Sequence, residues 1–117
     1  MAVSPSFQAF VVEQLGRVTP GIHARNMFGG VGIYAGDAFF ALIDDDTLYF
    51  KVDDTTRPAY TALGMGPFRP FGEGGAEMQY YQVAEELLED PHALTSWVVD
   101  AVAVARRAKR KPRRRRT

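Results

Sequence analysis

A chain of 117 residues and 13.0 kDa has room for one hydrophobic core and no second, and its 46% hydrophobic and 24% charged residues are ordinary for a globular domain. With no cysteine, a disulfide scaffold and a thiolate metal site are excluded. The zero net charge hides a division, because nine basic residues crowd into 106–116 and leave a body of five basic and fourteen acidic residues, net −9.

The first residues, Met1-Ala2-Val3-Ser4-Pro5, show no basic segment followed by an apolar one, so no signal peptide is expected. The apolar run 97–105 is broken by Asp100 and is far shorter than a membrane span. A cytoplasmic location with no membrane partner is the expectation.

Ser4-Pro5 predicts a helix start, with Ser4 as N-cap and Pro5 at the first helical position. Phe7, Phe10, Val11 and Leu15 recur at helical spacing, and Gly16 is expected to stop the helix. Thr19-Pro20-Gly21 reads as a loop that continues through His23. Arg25-Asn26-Met27-Phe28-Gly29-Gly30-Val31-Gly32-Ile33-Tyr34 then places three glycines in four positions before a β-prone run. The backbone there is expected to pass close to a neighbour and open the first strand.

Three strands are expected at 30–34, 38–43 and 48–52, joined by turns too short for anything but an antiparallel meander. In the third, Leu48, Phe50 and Val52 share one face while Tyr49 and Lys51 share the other. The second is apolar on both faces and so belongs in the middle of a sheet. Asp53-Asp54-Thr55-Thr56-Arg57-Pro58 reads as the start of a short helix with Pro58 within its first turn, Tyr60 and Leu63 inward and Gly64 ending it. Residues 67–71 and 78–83 read as two more strands, the first at an edge because of Pro70. A helical turn at 85–89 and a long helix opened by Asp90-Pro91 close the body, with Leu94, Trp97, Val98, Ala101, Val104 and Ala105 on its inner face. The order α-βββ-α-ββ-αα, with about five mainly antiparallel strands, makes the domain α+β, over 1–105, with an arginine-rich tail at 106–117.

The motif Arg25-x-Met27-Phe28-Gly29-Gly30-x-Gly32-Ile33-Tyr34 resembles the TfoX N-terminal domain family. Phe40-Ala41-Leu42, Leu48-Tyr49-Phe50-Lys51, Pro67-Phe68, Met78-x-Tyr80-Tyr81-x-Val83, Leu87-Glu89-Asp90 and Trp97 match in order and spacing, from about residue 7 to 106. Ala84 stands where that family usually has a proline. The resemblance implies an α+β fold and a link to regulating DNA uptake or transcription through partners, with no catalytic residue and no cofactor. Full-length competence regulators of this kind are expected to carry a second domain like helix-hairpin-helix folds; here the basic arm follows instead.

The glycine motif precedes a strand rather than a helix, so it does not form a phosphate loop. A small pocket beside Arg25 and Met27, extended by Lys51, is the alternative reading, with a ligand-binding or catalytic role. Asp44-Asp45-Asp46 lacks the ligand pattern of a calcium loop and reads as a solvated turn. His23 and His92 have no ligand-spaced partners, so no metal is expected. No nucleophile elbow exists around Ser4, Ser6 or Ser96, and the Glu85-Glu86 and Glu89-Asp90 pairs read as solvated helix surface, so no enzyme is expected. Tyr49, Lys51, Tyr80 and Tyr81, with Arg57, could stack bases, but alternation puts Tyr80 and Tyr81 on opposite faces and favours a structural role. The strongest interaction signal is the tail: Arg106, Arg107, Lys109, Arg110, Lys111, Arg113, Arg114, Arg115 and Arg116. They suit sequence-blind contact with DNA or RNA phosphates or with an acidic partner protein; the other reading is a solvated arm that balances the acidic body or docks on a neighbouring copy, as in a homodimer. Past Pro112 the tail is expected to be disordered.

Overall fold

The computed structural model describes residues 3–27, 29–69 and 79–110, with side chains through Ala108. Phe28, the expected loop and strand residues 70–78, and the arm from Lys111 onward lie outside the described residues. So do the side chains of Lys109 and Arg110.

The elements are α1 (Pro5–Val18), β1 (Ile22–Met27), β2 (Gly30–Ala35), β3 (Ala38–Asp44), β4 (Thr47–Lys51), α2 (Arg57–Ala62), β5 (Tyr80–Gln82), α3 (Glu85–Leu88) and α4 (Pro91–Arg110). The sheet order is β1-β2-β3-β4-β5 and every pairing is antiparallel. The domain is α+β, with β3 central as its two apolar faces require.

Local chemistry explains the helix starts. Ser4 Oγ accepts from the Phe7 N–H at 3.3 Å, with Pro5 in the first turn. Asp90 Oδ1 accepts from the N–H groups of His92 and Ala93 and opens α4. Ala84 caps α3 with φ −62°, the value proline would impose, so the turn survives without the proline.

Gly16 does not stop α1. The helix runs on to Val18, because Val18 packs against the core and Arg17 pairs with Glu13 at 2.9 Å. A Cβ at Gly16 would meet nothing within 4 Å. Gly16→Ala is therefore expected to stabilise the domain by about 0.5–1 kcal/mol. The measurement is a higher urea midpoint at unchanged slope; a lower midpoint would mean the glycine serves a contact not seen here.

The sheet gains a strand before the glycines. Residues 22–27, read from sequence as a loop leading into the motif, form β1, which pairs along its whole length with β2 from Ile22↔Ala35 to Met27↔Gly30. The motif is thus the hairpin turn between β1 and β2. Conversely, the strand expected from Pro67 is reduced, within the described residues, to a bridge between Pro67 and Tyr81. Phe68 N–H donates to Tyr80 O at 2.8 Å and Gln82 N–H to Gly66 O at 3.0 Å, so 66–68 borders the outer edge of β5.

Helices α1 and α4 cover one face of the sheet. Val11 and Leu15 from α1 and Leu94 and Val98 from α4 close on Ile33, Phe40, Ile43 and Phe50, all fully buried. Gln14 is buried among them and donates from Nε2 to Leu88 O at 2.9 Å, which ties α1 to the end of α3. Trp97 meets Tyr60 edge-on at 4.8 Å, and Tyr60 in turn lies 6.2 Å from Tyr81. Leu63 does not face inward. It falls just past the end of α2 and is half exposed. Among the described residues no helix is long and apolar enough to cross a membrane.

Candidate functional site

Each glycine of the motif has its own physical cause. Gly29 takes φ +82°, a left-handed turn conformation. A Cβ on Gly30 would stand 2.6 Å from the carbonyl oxygen of Ile43 on β3. At Gly32 a Cβ would meet Met27 Cε at 2.8 Å and Phe39 Cε1 at 3.1 Å. Met27 therefore lies across the bare backbone of Gly32, and the motif is a packing device.

The register Arg25↔Gly32↔Leu42↔Tyr49↔Gln82 defines the sheet face opposite the helices. A bulge between Ile33 and Tyr34 brings Tyr34 directly opposite Phe39. A row of rings results: His23 on Tyr34 at 5.2 Å and 14°, Tyr34 on Phe39 at 5.1 Å and 21°, Phe39 beside Tyr80 at 5.7 Å. His23 Nε2 lies 2.8 Å from Gly36 O, which makes it the donor there and fixes the ring. His23 is thus a strand residue in a stack, not a loop histidine. Cations sit on this row at two points, Arg25 5.7 Å from the centre of Tyr34 and Lys51 5.0 Å from that of Tyr80.

Rings stacked on one another have spent their faces. A base platform needs rings lying flat and open to solvent, whereas Tyr80 is buried and its phenol is pushed up to about 12 by burial first and Tyr34 second. Tyr49 packs against Phe68 at 4.9 Å, its phenol raised by burial and then by Asp44 and Asp45. Tyr81 points into the helix side, as alternation requires.

Arg25, Met27 and Lys51 do not converge. Two strands separate β1 from β4, a span of about 14 Å. Met27 lines a small cleft of about 70 Å³ with Gly30, Leu42, Asp44 and Phe68. Lys51 lines a different one of about 410 Å³ with Asp53, Asp54, Arg57, Gln79, Val104 and Arg107. Burial holds the Lys51 ammonium below the usual lysine range.

Asp53 organises that second cleft. Its Oδ1 accepts from Thr55 Oγ1 at 2.6 Å and from the N–H groups of Thr55 and Thr56, while its own N–H donates to Thr56 Oγ1. Its Oδ2 lies 2.7 Å from Arg107 Nη2. The Thr55 hydroxyl, then Arg107, hold the carboxyl well below the usual range. Arg57 spans Asp54 at 2.9 Å and Gln79 Oε1 at 2.6 Å. A depressed folded pKa stabilises above the unfolded value near 4 and is lost as pH falls below it. Asp53→Asn is expected to cost up to about 1 kcal/mol at neutral pH, since solvent screens so exposed a pair. In urea titrations the difference between the two proteins should begin to shrink as pH falls below about 4 and close only once pH has passed below the depressed folded value; equal stability at neutral pH would refute the assignment.

Arg106 and Arg107, the first cations of the tail, are not in a separate arm but on the last turns of α4, both exposed. The sequence missed His23, Tyr34, Phe39, Phe68 and the Asp53–Arg107 pair. Only Tyr34 and Phe39 left a signal, since they flank the turn at Gly36-Asp37 and must be near neighbours across a hairpin. Among the described residues no three His, Cys, Asp or Glu side chains gather as a metal site.

The family model of the TfoX N-terminal domain matches residues 13–105. DNA transformation protein TfoX1 of Aliivibrio fischeri (strain ATCC 700601 / ES114) is 32% identical over 96 residues, 81% of this chain and 44% of that protein. This chain therefore spans less than half the length of that relative. With the motif of residues 25–34 folded as a hairpin and four-fifths of the sequence matched, the chain belongs to the TfoX N-terminal domain family.

Proposed function

We propose that this chain is a non-enzymatic regulatory module for DNA uptake by transformation, acting in the cytoplasm through contacts with a protein partner. The observation that carries this reading is the match of residues 13–105 to the TfoX N-terminal domain together with a relative named for DNA transformation. The side chains of the family motif support it, because Met27, Gly30, Gly32, Tyr80 and Tyr81 are occupied in packing rather than arranged around a reacting atom.

In the same reading the cations from Arg106 onward add sequence-blind contact with nucleic-acid phosphates. Arg106 and Arg107 lie exposed on the last turns of α4, with Arg107 paired to Asp53. Neutralising six to nine phosphates would give a log–log salt slope of about −5 to −8 on duplex DNA.

Two measurements test the two parts. In the first, the matched segment of TfoX1 in Aliivibrio fischeri is replaced by this chain and transformation frequency is counted. Retained transformation supports the regulatory role; loss with the chimera present at normal level overturns it. In the second, anisotropy of labelled duplex DNA compares the intact chain with a version ending at Ala108, which keeps the Asp53–Arg107 pair. Equal binding by both would dismiss the tail as the nucleic-acid contact.

A further inference from the structure

The two edges of the sheet are finished differently. Strand β5 has only three residues, and 66–68 border it: Phe68 N–H donates to Tyr80 O and Gln82 N–H to Gly66 O. The other edge, β1, is six residues long, with no proline and no bulge in its register with β2. Its charged residue, Arg25, lies over the ring of Tyr34. A short strand, a proline, a bulge or a covering segment is what keeps an edge from pairing with another chain, and β1 has none of these among the described residues.

The ladder decides which groups β1 leaves open. Gly36 N–H donates to Gly21 O at 3.0 Å, so residues 21 and 36 form a hydrogen-bonded pair. Every second residue after it, His23, Arg25 and Met27, therefore turns its N–H and C=O toward β2. Ile22, Ala24 and Asn26 turn theirs off the sheet. Among the described residues no hydrogen bond reaches these outward groups.

We propose that β1 pairs antiparallel with β1 of a second copy of this chain, joining two sheets into one across a two-fold axis. The open groups dictate the register. With Ala24 opposite Ala24 of the other copy, Ile22 stands opposite Asn26, and each outward residue exchanges two hydrogen bonds with its opposite. Sliding the copies by two residues leaves one outward residue of each strand unpaired and sets Arg25 on Arg25 or His23 on His23. In the favoured register the axis carries the smallest side chain of the strand, and His23 faces Arg25. His23 Nε2 is the donor to Gly36 O, so Nδ1 of the neutral ring is an acceptor and the guanidinium opposite is a donor. This match of the strand to its own reverse favours a second copy over an unrelated strand. On the helix side, Pro5, Gln8, Ala9 and Val12 of α1 recur at helical spacing and, with Ala24, line an open cleft along the same edge. Two such stripes meet over the axis and add the area that a pair of short strands lacks. The pairing goes beyond the regulatory reading and does not depend on it.

Sedimentation equilibrium of the intact chain tests this, with dimer mass expected on concentration and monomer on dilution. Ala24→Pro removes an outward N–H and no hydrogen bond to β2, and should weaken association about tenfold or more with the domain still folded. The chain has no cysteine, so single cysteines give a second reading that does not depend on proline being tolerated. Ala24→Cys should cross-link to itself under mild oxidation, because hydrogen-bonded opposite Cα atoms stand about 5.5 Å apart, within disulfide reach. Asn26→Cys should not, since an axis at Ala24 holds its two copies about 13 Å apart. A monomer mass up to about 1 mM overturns the proposal, whether the edge then stays open or takes a strand from another protein. Cross-linking of Asn26→Cys as readily as Ala24→Cys, or a folded Ala24→Pro that dimerises like the parent, would do the same.

Discussion

Gly30→Ala is expected to destabilise this domain by roughly 3 kcal/mol, at the upper end of overpacking costs. The new methyl would lie 2.6 Å from the carbonyl oxygen of Ile43, an atom of the central strand that cannot rotate away. Relief requires β2 to part from β3 next to Val31↔Ile43, a pair that belongs to the core. Gly32→Ala makes the informative comparison. Its methyl would meet the free end of Met27 at 2.8 Å and the edge of Phe39 at 3.1 Å, and a methionine terminus can change rotamer. That change should cost roughly 1 kcal/mol. Urea denaturation of both variants at one temperature decides it. If Gly32→Ala proves the costlier, the motif exists for the Met27 contact and not for the approach of β2 to β3.

Phe50→Ala should cost about 3–5 kcal/mol, as much as or more than Gly30→Ala. Phe50 is fully buried beneath α4, with the ring of Phe40 at 5.7 Å. Its backbone pairs Ala41 on one side and Tyr81 on the other. Ala41, its partner on β3, is too small to fill the void, so the cavity term adds to the lost burial. A domain of this size is typically stable by about 5–15 kcal/mol, so a wild-type stability at the lower end of that range would leave the variant partly unfolded at room temperature. The checks are near-ultraviolet circular dichroism and a urea curve. A loss below about 1 kcal/mol would mean that α4 collapses onto the sheet without strain.

Much of the fold was legible because its causes are local. Ser4-Pro5 and Asp90-Pro91 announce helix starts through capping chemistry that involves only the next three residues. The alternation of Leu48, Phe50 and Val52 against Tyr49 and Lys51 reads directly as two faces of one strand. Asp45 and Asp46, at φ 53° and 54°, make the tight hairpin turn that an acidic run between two strands suggested.

Other features were hidden because their causes are distant in the chain. Ile22 and Ala24 alternate with His23 and Arg25, but as an edge strand β1 is only half buried and its apolar signal is weak. Gly16 has the residue type of a helix stop, yet Val18 beyond it has a core to join, and packing outweighs a glycine's preference. The Lys51 cleft joins β4, the start of α2, Gln79 and the far end of α4, and no spacing rule connects Asp53 to Arg107 across 54 residues.

The glycine motif divides the same way. From residues 25–34 alone came the family resemblance and the need for a close backbone approach, because glycine's lack of a side chain is a property of the residue. What approaches was decided by the tertiary structure: Ile43 at Gly30, Met27 and Phe39 at Gly32. So was the status of the motif as a hairpin turn, since only the pairing of β1 with β2 makes it one. Local sterics can demand a small residue, but strand register, which sums weak preferences over the whole sheet, determines the neighbour it makes room for.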